Sequence, residues 1–120
     1  MPEAKISTTP SWPSSLSIKS LADGQLPATI TSLYTSPART KAIIRTITLV
    51  NTDSSARTLN LYLLPSSGTA RRLVPKDLSL GASYAAYFNN EITLETGDAI
   101  QGDASAADVV DYTILGYQEP

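Results

Sequence analysis

The sequence predicts an all-β fold, an antiparallel β-sandwich or jelly roll of about eight short strands preceded by an extended N-terminal arm. Three observations predict it. No stretch of roughly ten residues keeps apolar side chains at spacings of three and four among helix formers, so the pattern holds no amphipathic helix. Short runs rich in Thr, Ile, Val, Leu and Tyr alternate apolar with polar residues instead, as half-buried strands do. Between them stand clusters of Gly, Pro, Asn, Asp and Ser, the residues that turn a chain. At 120 residues the chain is most simply one domain, and folding at that size buries about two-thirds of the surface the unfolded chain exposes.

Residues 1–15 are rich in Pro, Ser and Thr, with Trp12 their only aromatic. Pro2, Pro10 and Pro13 deny a helix there, so this stretch reads as an arm and residues 16–120 as the sandwich. In "SLSIKSLADG" Leu16, Ile18 and Leu21 share a side, and Asp23-Gly24 is expected to turn the chain. "ATITSLYTS" (28–36) carries Ile30 and Tyr34 among β-favouring Thr and stops at Pro37, which cannot donate to a ladder.

"KAIIRTITLVNT" (41–52) is the most strand-like run. Strict alternation puts Ile43, Ile47 and Leu49 on one face and Ile44, Thr46, Thr48 and Val50 on the other. Arg45 interrupts the first face, which assigns that end to an edge or interface. "NTDSSA" then turns the chain, and "RTLNLYLLP" (57–65) is expected to return beside it as a hairpin. Leu59, Leu61 and Leu63 would point inward, and Thr58, Asn60 and Tyr62 outward.

"RRLVPKDLSL" reads as a broken strand, and "GASYAAYFNN" as a strand with Tyr84 and Phe88 inward. After "EITLE" comes "TGDAIQGDAS", where Asp98 and Asp103 are expected to bracket the short strand "AIQG" as turn residues. "ASAAD" is too short for more than one turn of helix. In the last strand Val110, Tyr112 and Ile114 alternate with Val109, Asp111, Thr113 and Leu115.

Composition narrows the chemistry. Cys and His are both absent, which excludes disulfides, thiolate metal sites and the commonest general base. An enzyme is therefore not expected, nor a cofactor, since "LGASY" and "SSGTA" lack the spacing and Lys of a phosphate loop. Glu95, Asp98, Asp103, Asp108 and Asp111 are too loosely spaced for a calcium loop, so no metal is expected. Nucleic acid is not an expected partner of a chain with net charge −2, and the six Tyr residues suit strand positions as well as a sugar-binding face. No run reaches the roughly 20 apolar residues of a membrane span and no signal peptide is recognisable, so a soluble product of the cytoplasm is expected.

The charges are unevenly placed along the chain. Arg39 to Lys76 holds seven cations against Asp53 alone, while from Asp77 onward there is no Lys or Arg. Either basic and acidic strands pair within one sheet, or oppositely charged edges join subunits head to tail. On the second reading Arg45, Arg71, Arg72, Asp98 and Asp103 are candidates for a subunit interface.

The segment from Leu33 to Tyr117 resembles a family of small proteins and domains from tailed bacteriophages and prophages. The resemblance rests on "LYTSPARTKAIIRTITLVNTDSSARTLNLYLLPSSGTARRLV" and on "LETGDAIQGDASAADVVDYTILGY", with "NTDSSARTL" the most distinctive part. It implies a β-sandwich virion component. The leading expectation is a capsid decoration (cement) protein, a homotrimer that binds the major capsid protein on the virion's outer shell. A tail, baseplate or fibre component recognising host carbohydrate is the first alternative. A small carbohydrate-active enzyme using late-chain carboxylates is the second. The arm falls outside the matched segment, and by its own residues Trp12, Leu16 and Ile18 it is expected to contact the shell or a neighbouring subunit.

Overall fold

A computed structural model describes residues 18–119, so Trp12, Leu16 and the arm assigned to residues 1–15 lie outside the described residues. Ten strands and no helix form within them. These are β1 (Lys19–Gln25), β2 (Thr31–Thr35), β3 (Lys41–Asn51), β4 (Arg57–Leu64), β5 (Arg71–Arg72), β6 (Leu78–Leu80), β7 (Ala85–Phe88), β8 (Ile92–Leu94), β9 (Ala99–Ala104) and β10 (Val110–Glu119).

The strands form two antiparallel sheets. In one the order is β1-β10-β3, with β7 and β8 paired one after the other along the far side of β3. In the other it is β2-β9-β4, with β5 and β6 along the far side of β4. Their inner faces supply the core: Ile44, Ile47, Leu49, Val110 and Ile114 from the β3/β10 sheet meet Leu59, Leu61, Ile100 and Ala104 from the β4/β9 sheet. Leu26, Leu80 and Leu94 close it at the margins. Burying each such Leu or Ile contributes about 1.5–3 kcal/mol. The expected sandwich is present.

The expected hairpin between residues 41–52 and 57–65 is not. β3 and β4 belong to opposite sheets, so residues 52–56 arch across the sandwich. Asn51, fully buried, holds the arch. Its Nδ2 donates to the carbonyls of Ser55 (2.9 Å), Leu80 (3.0 Å) and Gly81 (3.2 Å), and its Oδ1 accepts from Asp53 N–H (3.0 Å). Arg57 Nε then donates to Asp53 Oδ2 at 2.7 Å. The buried amide thus finds all its partners on backbone, of the arch on one side and of residues 80–81 of the opposite sheet's margin on the other, as a buried polar group requires.

Three one-residue bulges decide which side chains reach the core. Leu21 on β1, Leu33 on β2 and Arg45 on β3 are each the extra residue opposite a partner strand. A bulge shifts the side-chain alternation by one. Ala42 and Ile44 therefore point inward before Arg45, and Ile47, Leu49 and Asn51 after it. Ile44, expected on the face opposite Ile47 and Leu49, is wholly buried with them, whereas Ile43, expected beside them, is half-buried on the outer side. Arg45 is exposed for this reason, and it sits on a central strand rather than an edge.

At Gly116 the bulged β3 backbone comes close to β10. A Cβ there would collide with the carbonyl oxygen of Ile43. Further along, Asp23-Gly24 does not turn the chain. Both residues lie within β1, opposite Thr113 and Tyr112, and the Tyr112 ring lies 3.3 Å from where a Gly24 Cβ would stand. Large cross-strand rings often cover a strand glycine in this way. Tyr84 is also corrected: it is 69% exposed, while Phe88 and Ala86 pack against the core.

Candidate functional site

The loops gather at two ends. One end, named here for Asn51, holds residues 26–30, 52–56, 81–84 and 105–109; the other, named for Asp98, holds 36–40, 65–70 and 95–98, while 89–91 link β7 and β8 alongside the middle of β3. The outer faces of the two sheets lie between them.

On the outer face of the β4/β9 sheet a polar cluster is built around Asn60. Tyr62, Gln101 and Arg72 form one cross-strand row, since Gln101 pairs with Tyr62 and Tyr62 with Arg72. The Arg72 guanidinium lies 5.0 Å from the Tyr62 ring centroid and donates to Asn60 Oδ1 at 2.6 Å. That oxygen also accepts from Asp77 N–H at 2.9 Å. Asn60 Nδ2 donates to Asp77 Oδ1 (3.1 Å) and Asp103 Oδ1 (2.9 Å). Both donors and both acceptor sites of the amide are thus used, which accounts for an Asn only 8% exposed on an outer face. Asp77 is held in the left-handed region, φ 53°, by this same bond to its N–H.

Asp103 consequently lies inside β9, opposite Asn60, and is not the turn residue expected from its Gly-Asp pair. Asp98 does sit in a turn. Asp98 N–H donates to the Glu95 carbonyl (3.0 Å) across a turn whose Gly97 has φ 88°, a value that favours glycine. Its carboxylate accepts from Ser66 N–H (2.9 Å) and Glu95 N–H (3.0 Å), and Ser36 N–H donates to its carbonyl (2.9 Å). Three loops of the Asp98 end are therefore tied to one residue.

Beside that turn lies a shallow depression of about 270 Å³ lined by Arg39, Thr40, Lys41, Glu95, Thr96 and Glu119. Lys41 Nζ stands 3.8 Å from Glu95, so cations and carboxylates balance there. Arg45 pairs with Glu91 at 3.1 Å across the gap between β7 and β8. Both pairs are exposed and stabilise by about 0–1 kcal/mol at most.

The five interface candidates therefore separate. Arg72 and Asp103 meet around Asn60, Arg71 is exposed on β5 next to Arg72, Asp98 ties together the loops of its own end, and Arg45 lies on the other sheet. Ile18, the arm residue that is described, is 56% exposed just ahead of β1. Asn60 itself was readable in the sequence only as a polar residue at an outward position between Leu59 and Leu61. No group of three or more acidic residues that could hold a metal ion occurs among the described residues.

The charge asymmetry of the sequence takes a definite form in the fold. Registers place Lys19, Arg39, Lys41, Arg45, Arg71 and Arg72 in the half towards the Asp98 end, with Glu91, Glu95, Asp98 and Glu119. The half towards the Asn51 end holds Arg57 and Lys76 with Asp23, Asp53, Asp77, Asp103, Asp108 and Asp111. Charge is thus separated along the strand axis, rather than between edges. Two titrations carry a shift. Asp53 is held below its ordinary 3.8, first by the hydrogen bond from Arg57 and then by Ser54 N–H, while burial and then Asp23 push the Tyr112 hydroxyl above its ordinary 10.0.

Comparison with protein-family models, with curated proteins and with solved structures returns no match. The class that fold and surface define is a two-sheet antiparallel β-sandwich with one polar face locked by side chains and most of its cations in one half along the strand axis.

Proposed function

We propose that the protein is a structural component of a tailed-bacteriophage virion, a capsid decoration protein that binds the outer shell through the major capsid protein. The observation that supports this reading is where the motifs that carry the resemblance fall. "NTDSSARTL" forms the Asn51 arch with its Asp53–Arg57 pair, and "TGDAIQGDAS" forms the Asp98 turn and β9. Both are joints of the frame, so the resemblance is to the rigid body itself, and a rigid body with a polar face and separated charge suits attachment to a repeating surface. Carboxylates that could carry chemistry are engaged in holding it: Asp53, Asp98 and Asp103 each accept from a neighbour.

The test is binding of the purified protein to heads assembled from the major capsid protein of the same phage or prophage. Co-sedimentation at saturable occupancy is expected, with density on the outer shell by electron microscopy. Density on the tail instead would overturn the reading. Removal of residues 1–15 should leave the melting temperature unchanged and abolish shell binding; full occupancy by the shortened protein would remove the arm's role.

The carbohydrate-binding alternative is favoured by one observation, the row of Tyr62, Gln101 and Arg72 beside the Asn60 cluster. A ring bordered by preorganised amide and guanidinium groups suits a sugar. Glycan-array binding abolished by Tyr62→Ala would select it.

A further inference from the structure

The sheets have four edges, and three of them carry guards against pairing with another chain. β5 and β6 and the loop between them present Arg71, Arg72, Pro75 and Lys76. β7 and β8 are separated by Asn89, Asn90 and Glu91, and Arg45 meets Glu91 there. β1 holds Lys19, Asp23 and Gly24. Charges, Pro, Gly and broken strands are the means by which edges avoid unwanted partners. β2 differs. From Ala28 to Ser36 the chain has no charged residue, no Gly and no Pro, its one guard is the Leu33 bulge, and no strand covers its outer side among the described residues. Ile30, at its entrance, is 51% exposed.

We propose that β2 pairs with β2 of a second copy, antiparallel about a two-fold axis at Leu33, so that the two β4/β9 sheets become one continuous sheet. The proposal goes beyond the virion reading and does not depend on it, and its symmetry departs from the threefold arrangement that the resemblance implies. Two observations commit the edge to a second copy. An uncharged strand meets itself without repulsion, with Thr31 opposite Thr35 of the second copy. Antiparallel pairing also lays the carboxylate-rich half of each copy, towards its Asn51 end, beside the half of the other that holds most of the cations. Charge separation along the strand axis is thereby used twice in one contact.

The experiment measures the mass of the full chain in solution across a concentration series at low and high salt. A dimer that weakens as salt rises is expected. A double variant, Thr31→Lys with Thr35→Lys, sets like charges opposite each other and should weaken the dimer by about tenfold or more, with circular dichroism and melting unchanged. Mixing it with Thr31→Glu plus Thr35→Glu should restore a mixed dimer. A monomer at every concentration, or a trimer, overturns the proposal. A dimer indifferent to the Lys pair overturns the assignment to β2, and failure of the mixture to associate overturns the antiparallel register.

Discussion

Two buried asparagines do different work in this molecule. Asn51 is satisfied by backbone, three carbonyls and one N–H drawn from the arch and from the end of β6 with the residue after it. Asn60 binds mainly side chains, Arg72, Asp77 and Asp103, with one N–H added. Backbone groups fixed in a loop cannot turn to water when their partner is lost, but exposed side chains can. The same residue type is therefore a structural joint at one site and the organiser of a surface at the other.

Breaking the joint should have the largest effect. Asn51→Ala strands several backbone groups at the sheet crossing, and a loss of about 3 kcal/mol is expected from the usual cost of unsatisfied groups, read as a lowered denaturation midpoint. Asn60→Ala should cost less, about 1 kcal/mol. Its clearer sign would be faster hydrogen exchange at the Asp77 amide, whose bond is lost. If the two variants are equally destabilising, the distinction between joint and surface organiser fails. Arg72→Ala, which removes a half-exposed cation–π contact and one bond to Asn60, should cost about 0.5–1 kcal/mol and leave the arch untouched.

Acid should sharpen the contrast without any mutation. Asp53 binds protons less readily folded than unfolded, so the stability it lends is present above its unfolded pKa, near 3.8, and is lost as pH falls through the lower folded value. Exchange of amides in residues 52–57 should rise in that window, and Asp53→Asn should abolish the rise. Tyr112 acts in the opposite direction. Its raised pKa means that its contribution is present below about pH 10 and fades as pH climbs through the folded value. Tyr112→Phe should remove that alkaline loss, measured as thermal stability across the range.

Most strands were legible in the sequence because alternation needs only local information. β4 shows this well, with Leu59 and Leu61 inward and Tyr62 outward as expected. What local information lacks is the extra residue of a bulge. Arg45 reverses the alternation of β3 halfway, so Ile43 and Ile44 exchanged places relative to a regular strand. The arch was equally hidden, since a turn of polar residues serves a hairpin and a sheet crossing alike, and only the distant carbonyls of Leu80 and Gly81 decide between them. For the surface, Asp103 looked like a turn residue because its role depends on Asn60, 43 positions away. Asp98, whose partners include near neighbours, was read correctly as part of a turn.

The crossing between β3 and β4 has a further consequence, for the speed of folding. Because these neighbours in sequence do not pair, β3 waits for β10, β1 also waits for β10, and β2 and β4 wait for β9. Nearly every long ladder closes a loop of many residues before it gains a contact, and chains of that kind fold in milliseconds to seconds. Until β9 and β10 join, the apolar strands in the first half of the chain remain uncovered, and that interval is when aggregation competes most strongly with folding.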